Sequence, residues 1–282
     1  MVLTRGAVSL DGRVAVVTGG GSGIGRGIAV AFAEFGARVA VWEKDLDTAQ
    51  AASAETGGLG CVTDVRDADQ VDAAMSTTVE TLGVPTILVN NAGGVFWSAL
   101  LDTSPNGWDA LIRSNLTHVL LCTQRVARAM VDAGRGGSII NVTSIEGFRA
   151  APGYAAYAAA KAGVVNFTKT AALELAPRGI RVNGLAPDLT ITEGILNMAP
   201  PGLDVAGPAA PDFEQRTSLM IPMGRPGHVD EMAGAAVFLA SDLSSYVTGQ
   251  TIHVDGGTAA ASGWYHDPGD GHYILGPSGV RT

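Results

Sequence analysis

In the stretch YAAYAAAKAG (residues 154–163), two phenols and one ammonium stand on an almost pure alanine background. Alanine is the strongest helix former, so a helix is expected here. Tyr157 and Lys161, four residues apart, then share one face of it. Helical side chains lean toward the N-terminus, which tilts Lys161 onto the turn carrying Tyr157. Tyr154 lies seven residues from Lys161. That is roughly 10 Å along the axis, too far for one lysine to serve both phenols. A phenol with a pKa near 10 is a poor base at neutral pH. An ammonium in a site partly closed to water could lower it by about three units, worth about 4 kcal/mol. Such a pair is a general acid/base. Taken alone, the plainer reading would be preferred: a packed tyrosine with a solvated lysine beside it. The rest of the chain decides.

A second cluster suits a nucleotide. TGGGSGIGRG (18–27) follows the apolar run RVAVVTG (13–19) and opens a helical pattern from about Gly23 to Phe35. Glycines in that place allow a tight turn and let backbone N–H groups approach a pyrophosphate at the positive end of a helix. A nucleoside-triphosphatase loop would need Lys-Ser/Thr after its second glycine. This chain has Arg26-Gly27, so that reading is rejected. Glu43 ends the next apolar run, 18 residues after Gly25, near where a carboxylate takes the adenosine ribose hydroxyls. A carboxylate there repels a 2′-phosphate, which favours NAD over NADP, while the neighbouring Lys44 argues the other way.

These groups need a scaffold. The 282 residues are 46% hydrophobic and only 16% charged, which is ample material for a core. Apolar runs at 13–19, 38–43, 60–65, 85–93, 137–144, 179–187 and 250–257 alternate with longer helical patterns. Continuous apolar strands between helices imply a parallel sheet covered on both faces. The expected fold is therefore α/β: a doubly wound, Rossmann-type parallel sheet of about seven strands in one domain, residues 1–257. Residues 188–227, rich in Pro, Gly and Met, read as a substrate flap, and 258–282 as an aromatic C-terminal tail that packs on a neighbouring subunit. A net charge of −9 without a Lys/Arg cluster argues against nucleic acid or an anionic membrane. No signal peptide or membrane span is expected. Cys61 and Cys122 read as reduced, packed thiols, consistent with a cytoplasmic location.

With those motifs in order, the chain resembles the short-chain dehydrogenase/reductase family, in its compact, usually tetrameric branch, over residues 9 to about 257. TGGGSGIG (18–25) fits the family's TGxxxGxG, and Tyr157-x-x-x-Lys161 its hallmark pair. Asn115 in RSNLT fits the family's catalytic asparagine, and Ser144 lies 13 residues before Tyr157, as the family's serine does. The resemblance implies a hydride transfer with Tyr157 as general acid/base and Lys161 as its electrostatic partner, also bonding the nicotinamide ribose. It implies that Ser144 holds the substrate oxygen and that Asn115 anchors a water leading from Lys161 to solvent. For the cofactor it implies Gly19, Ser22, Gly23, Ile24 and Gly25 in the loop, Glu43 on the ribose, and Asp64 and Val65 at the adenine. Asn91, Ala92 and Gly93 in NNAG (90–93) would line the cofactor, with Pro187 and Thr192 near the carboxamide. Apart from the resemblance, Asn115 reads as a polar residue inside a helix spanning 107–131.

The expected activity is an NAD-dependent interconversion of a secondary alcohol and a ketone, NADP remaining possible, on an apolar small molecule in a homotetramer. The alternative is an NADPH-dependent 3-oxoacyl-thioester (acyl-carrier-protein) reductase, and after it a non-catalytic dinucleotide-binding scaffold. Some residues depart from the pattern. PDLTIT (187–192) places Asp188 where the family usually has glycine. His118 replaces a small residue and reads as packed, while Glu146 and Tyr154 flank the expected pocket. His266, Asp267, Asp270 and His272 in the tail could in principle bind a divalent ion, but no metal is expected.

Overall fold

The computed structural model describes residues 3–196, 213–266 and 272–275. Seven parallel strands form one sheet: β1 Val14–Thr18, β2 Arg38–Glu43, β3 Leu59–Val62, β4 Ile87–Asn90, β5 Gly137–Val142, β6 Ile180–Pro187 and β7 Thr251–Val254. Their order is β3-β2-β1-β4-β5-β6-β7, and every neighbouring pair is parallel. The chain therefore builds outward from β1 to β3, then returns to place β4 on the other side of β1. Crevices at such reversals, outside the carboxyl ends of the strands, are where ligands bind in open α/β sheets.

Period-two alternation sorts the strand side chains onto two cores. Ala15, Val17, Val39 and Val41 pack with Ile28 and Phe32 of helix α1 (Gly23–Glu34), and with Ala52 of α2 (Leu46–Thr56). Val16, Ala40 and Trp42 face the opposite way, onto Val71 and Met75 of α3 (Ala68–Leu82). Both faces are covered, which is why the strands read as unbroken apolar runs. Buried Trp42 is satisfied by donating from Nε1 to Thr78 Oγ1 at 3.1 Å.

The helix expected over 107–131 begins earlier and is not uniform. It runs as α4 (Pro105–Ile112), a π-helical turn at Arg113–Thr117, and α5 (His118–Asp132). Then follow α6 (Ala155–Leu175), the short α7 (Glu193–Leu196), α8 (Phe213–Met220) and α9 (Val229–Ala240). The third strand is shorter than its apolar run and stops at Val62, although the Thr63 N–H still reaches the Glu43 carbonyl at 2.7 Å. The tail, which shows no period in sequence, contains α10 (Thr258–Ala261) and a hairpin of β8 (Trp264–His266) with β9 (Tyr273–Leu275). The hairpin lies against α8 of its own chain. Part of the flap, 197–212, and most of the HDPGDGH stretch lie outside the described residues.

Candidate active site

The candidate residues stand at or just after the carboxyl ends of strands, or on the helical segments beside those ends. The glycine loop leaves β1 next to the β1/β4 reversal. Gly19 has φ +62°, and a Cβ there would stand 2.9 Å from Ala92 Cα. A Cβ on Gly25 would overlap the Gly19 carbonyl oxygen and Asn91 Nδ2. The loop is thus wound against NNAG with no room for side chains. Asn91 holds it, its Nδ2 donating to the carbonyls of Thr18 and Gly19 at 3.1 Å each. The Thr18 hydroxyl, to which the sequence reading gave no role, accepts the N–H groups of Asn91 (3.0 Å) and Ala92 (3.1 Å). Its signal was in plain view: a hydroxyl immediately before the first glycine.

Glu43 closes one end of this cradle. Its carboxylate accepts the Gly21 N–H at 3.2 Å and the Lys44 N–H at 2.8 Å. Asp64 is already engaged, in a fork with Arg66 whose shortest contact is 2.6 Å, and that guanidinium pulls its carboxyl down to about 2. Arg66 had been overlooked, although the D-x-R spacing is visible. Val65 is buried beside it. Ser22 is the N-cap residue of α1, and Gly23 and Ile24 begin that helix. Thr192 leans over the loop: its Cγ2 would be 3.3 Å from a Cβ on Gly23. Pro187 ends β6, and Leu189 and Ile191 beyond it are tied to Gly227 by two backbone bonds of 2.9 Å. The glycine cradle, the carboxylate at its rim and the amide-lined floor fit a dinucleotide.

The second half of the site gathers around the start of α6. Lys161 is 5% exposed, and its ammonium lies over the Tyr157 ring, 5.6 Å from the centroid. Its Nζ donates to the Val142 carbonyl at 3.0 Å, at the end of β5. Burial pushes the ammonium down to about 8. Burial also raises the Tyr157 phenol, opposed by the Ser144 hydroxyl and reinforced by the Glu146 carboxylate. The Lys161 ammonium was expected to be able to lower the phenol; in the protein by itself the direction is upward. A buried ammonium over the ring face, bonded to a carbonyl, does not outweigh the lost hydration of a phenolate. Ser144 follows β5 as the N-cap of a short 3-10 turn (Ile145–Gly147), its Oγ accepting the Glu146 N–H at 3.2 Å. That turn lies on the Lys161 backbone, so close that a Cβ on Gly147 would come within 3.0 Å.

Asn115 occupies the π-helical turn and is fully buried. Its Nδ2 donates to the Gly94 carbonyl (2.7 Å), the Leu111 carbonyl (3.0 Å) and Ser114 Oγ (3.1 Å). Its Oδ1 has no partner within the protein and faces Gly93. A buried, open acceptor of this kind fits an ordered polar neighbour better than a helix-interior role. His118, one turn on, is 1% exposed and packed as expected; burial, with the Lys161 charge, lowers its imidazole to about 3. Asp188 turns inward, its side chain 17% exposed and 3.7 Å from Arg149. Among the described residues, no group of three or more His, Cys, Asp or Glu is placed to hold a metal ion, and no helix is long and apolar enough to cross a membrane.

The chain is similar to known proteins in sequence and in fold. A family model described as enoyl-(acyl carrier protein) reductase matches residues 19–259. The 3-oxoacyl-[acyl-carrier-protein] reductase of Synechocystis sp. is 40% identical over 256 residues, covering 88% of this chain and 98% of that protein. A short-chain dehydrogenase/reductase from Mycobacterium marinum superposes with a TM-score of 0.81 at 37% identity, over 89% of this chain and 97% of its own. A 7α-hydroxysteroid dehydrogenase complexed with NADH and 7-oxo glycochenodeoxycholic acid superposes with a TM-score of 0.83 at 31% identity, over 91% and 98%. The chain belongs to the short-chain dehydrogenase/reductase family of NAD(P)-binding oxidoreductases that act on CH–OH groups.

Proposed function

We propose that this enzyme interconverts a secondary alcohol and a ketone with NAD. The observation that carries the cofactor choice is Glu43, whose carboxylate is anchored on the Gly21 and Lys44 N–H groups where an adenosine ribose would lie. A fixed negative charge there favours ribose hydroxyls and opposes a 2′-phosphate. A bound nicotinamide dinucleotide would supply or accept the hydride. Tyr157 passes the proton to or from the substrate oxygen, and Ser144, beside the phenol, donates a hydrogen bond to that oxygen. Lys161 keeps positive charge beside the phenol, and Asn115 offers its open Oδ1 to the proton path. Asp64 and Val65 flank the adenine side, and Thr192 the nicotinamide side. The exposed rings of Phe96, Trp97 and Phe148 support a bulky, apolar substrate.

A homotetramer belongs to the same reading, supported by Leu120 and Leu173, exposed on α5 and α6. Two buried free cysteines are compatible with a cytoplasmic location. The second reading, an NADPH-dependent 3-oxoacyl-thioester reductase, is favoured by the naming of several relatives about 40% identical. Calorimetric titration with NADH and NADPH separates the two: the proposal expects tighter NADH, and tighter NADPH would overturn it. A panel of secondary alcohols and 3-oxoacyl thioesters, followed by nicotinamide absorbance, then fixes the substrate class.

A further inference from the structure

The segment after Ser144 carries an acid and a base three residues apart. Arg149 Nη2 donates to Glu146 Oε1 at 2.8 Å, and Arg149 Nε to Oε2 at 3.3 Å. The same Nη2 lies 3.7 Å from Asp188 Oδ1, on the segment leaving β6. Asp255, just past β7, also acts on the guanidinium. The Phe148 ring packs against that of His253 of β7 in a tilted arrangement, with centroids 4.5 Å apart. One cation and two carboxylates therefore meet beyond the ends of β5 and β6, with Asp255 past β7 near enough to act on the cation, close to Ser144. The catalytic reading gives this cluster no task.

Ionising a phenol makes an anion, and nearby carboxylates oppose it. Glu146 is close enough to act on both Tyr157 and Tyr154. The charged and titratable groups around the phenol are Lys161 on α6, Tyr154 at its N-cap, and Glu146 and Arg149 after β5. Asp188 stands after β6, His253 and Asp255 on and after β7, and neutral His118 at the start of α5. Among these described residues, Arg149 and Lys161 are the cations, and Arg149 is the one bonded to carboxylates.

We propose that Arg149 is a positioning residue for the proton step: bonded to Glu146 it offsets part of that carboxylate's negative charge at the Tyr157 phenol, and between Glu146 and Asp188 it fixes the segment that aims Ser144. This rests on the reading of Tyr157 as the acid/base. A salt bridge with a purely structural task would not tune a phenol; this one should.

The test titrates the phenol directly. Tyrosinate ultraviolet absorbance is followed against pH in the full chain, each variant minus its Tyr157→Phe counterpart. Arg149→Gln is expected to move the Tyr157 midpoint up by about one pH unit, a tenfold loss of phenolate at fixed pH. Arg149→Lys should move it less, and the double variant Arg149→Gln/Glu146→Gln should return it toward the wild type. Glu146→Gln alone should place it below the wild type, which keeps the test open if Arg149→Gln fails to fold. With a turned-over alcohol, the alkaline shift should reappear in the pH profile of kcat, with KM at the plateau little changed. An unmoved midpoint in Arg149→Gln, or a shift that Glu146→Gln does not reverse, overturns the clamp. If the midpoint moves as expected but Tyr157→Phe still turns over substrate, the clamp stands and the catalytic reading fails instead.

Discussion

The ammonium of Lys161 lies over the ring of Tyr157, 5.6 Å from its centroid, and its Nζ is bonded to the carbonyl of Val142. Its folded pKa of about 8 is below the ordinary value of 10.5. Between those values the unfolded chain holds more protons, so stability rises with pH across the window; below about pH 8 the cost of the buried charge is fully present. Lys161→Met should therefore stabilise the cofactor-free protein at pH 7 by about 1–3 kcal/mol while abolishing turnover. Urea unfolding at pH 7 and pH 10 checks both the sign and the flattening. A lowered midpoint at pH 7 would refute it.

Tyr157→Phe removes the proposed proton carrier and should cut kcat by about 10²–10⁴-fold. Ser144→Ala, which removes the hydroxyl beside the phenol, should cost about 10²–10³-fold. Dinucleotide affinity, measured by calorimetry, should stay near the wild-type value for Ser144→Ala. A large loss of binding would make Ser144 a cofactor residue instead.

Gly25→Ala places a methyl group against the Gly19 carbonyl and the Asn91 amide, both fixed by the loop itself. Overpacking of about 1–3 kcal/mol should weaken dinucleotide binding roughly 10- to 100-fold. Gly94→Ala is the control, since a Cβ there meets nothing within 4 Å. Equal affinities for the two variants would show that the close winding of the loop is not what holds the ligand.

His118 is kept neutral by burial, with a folded pKa of about 3 against 6.5. The unfolded chain takes up this proton first, so stability falls as pH drops from about 6.5 toward 3, by up to about 5 kcal/mol. His118→Leu should flatten that part of the acid-unfolding curve, read from urea midpoints at pH 7 and pH 4.5. An unchanged slope would mean that the imidazole finds a partner on protonation.

How much of this was legible follows from which forces are local. The central strands announced themselves because they are buried on both faces; β2 runs over the very residues of its apolar run, 38–43. The third run misled at its end because the chain after Thr63 turns toward α3 while keeping a strand-like composition. Tyr157 and Lys161 came from helical spacing, but their protonation did not. Spacing reports who is adjacent, whereas burial decides which charge survives. The contact between Arg149 and Asp188 joins the ends of two strands 39 positions apart in sequence, and nothing local foretells it. The tail hairpin was hidden because three-residue strands are too short to show a period.

The widened turn at Arg113–Thr117 carries a consequence for inheritance. Its i→i+5 bonding takes one residue more than an ordinary turn, and each helical residue advances the face by about 100°. The rod upstream, which meets α6, is thereby phased differently from the rod downstream, which meets α3 and β4. Losing a single codon there would let the turn tighten into an uninterrupted helix and leave both halves in phase, yet it would remove the widening that seats Asn115 and carry that side chain out of its niche. At this locus the reading frame of the helix is as unforgiving as the identity of its side chains.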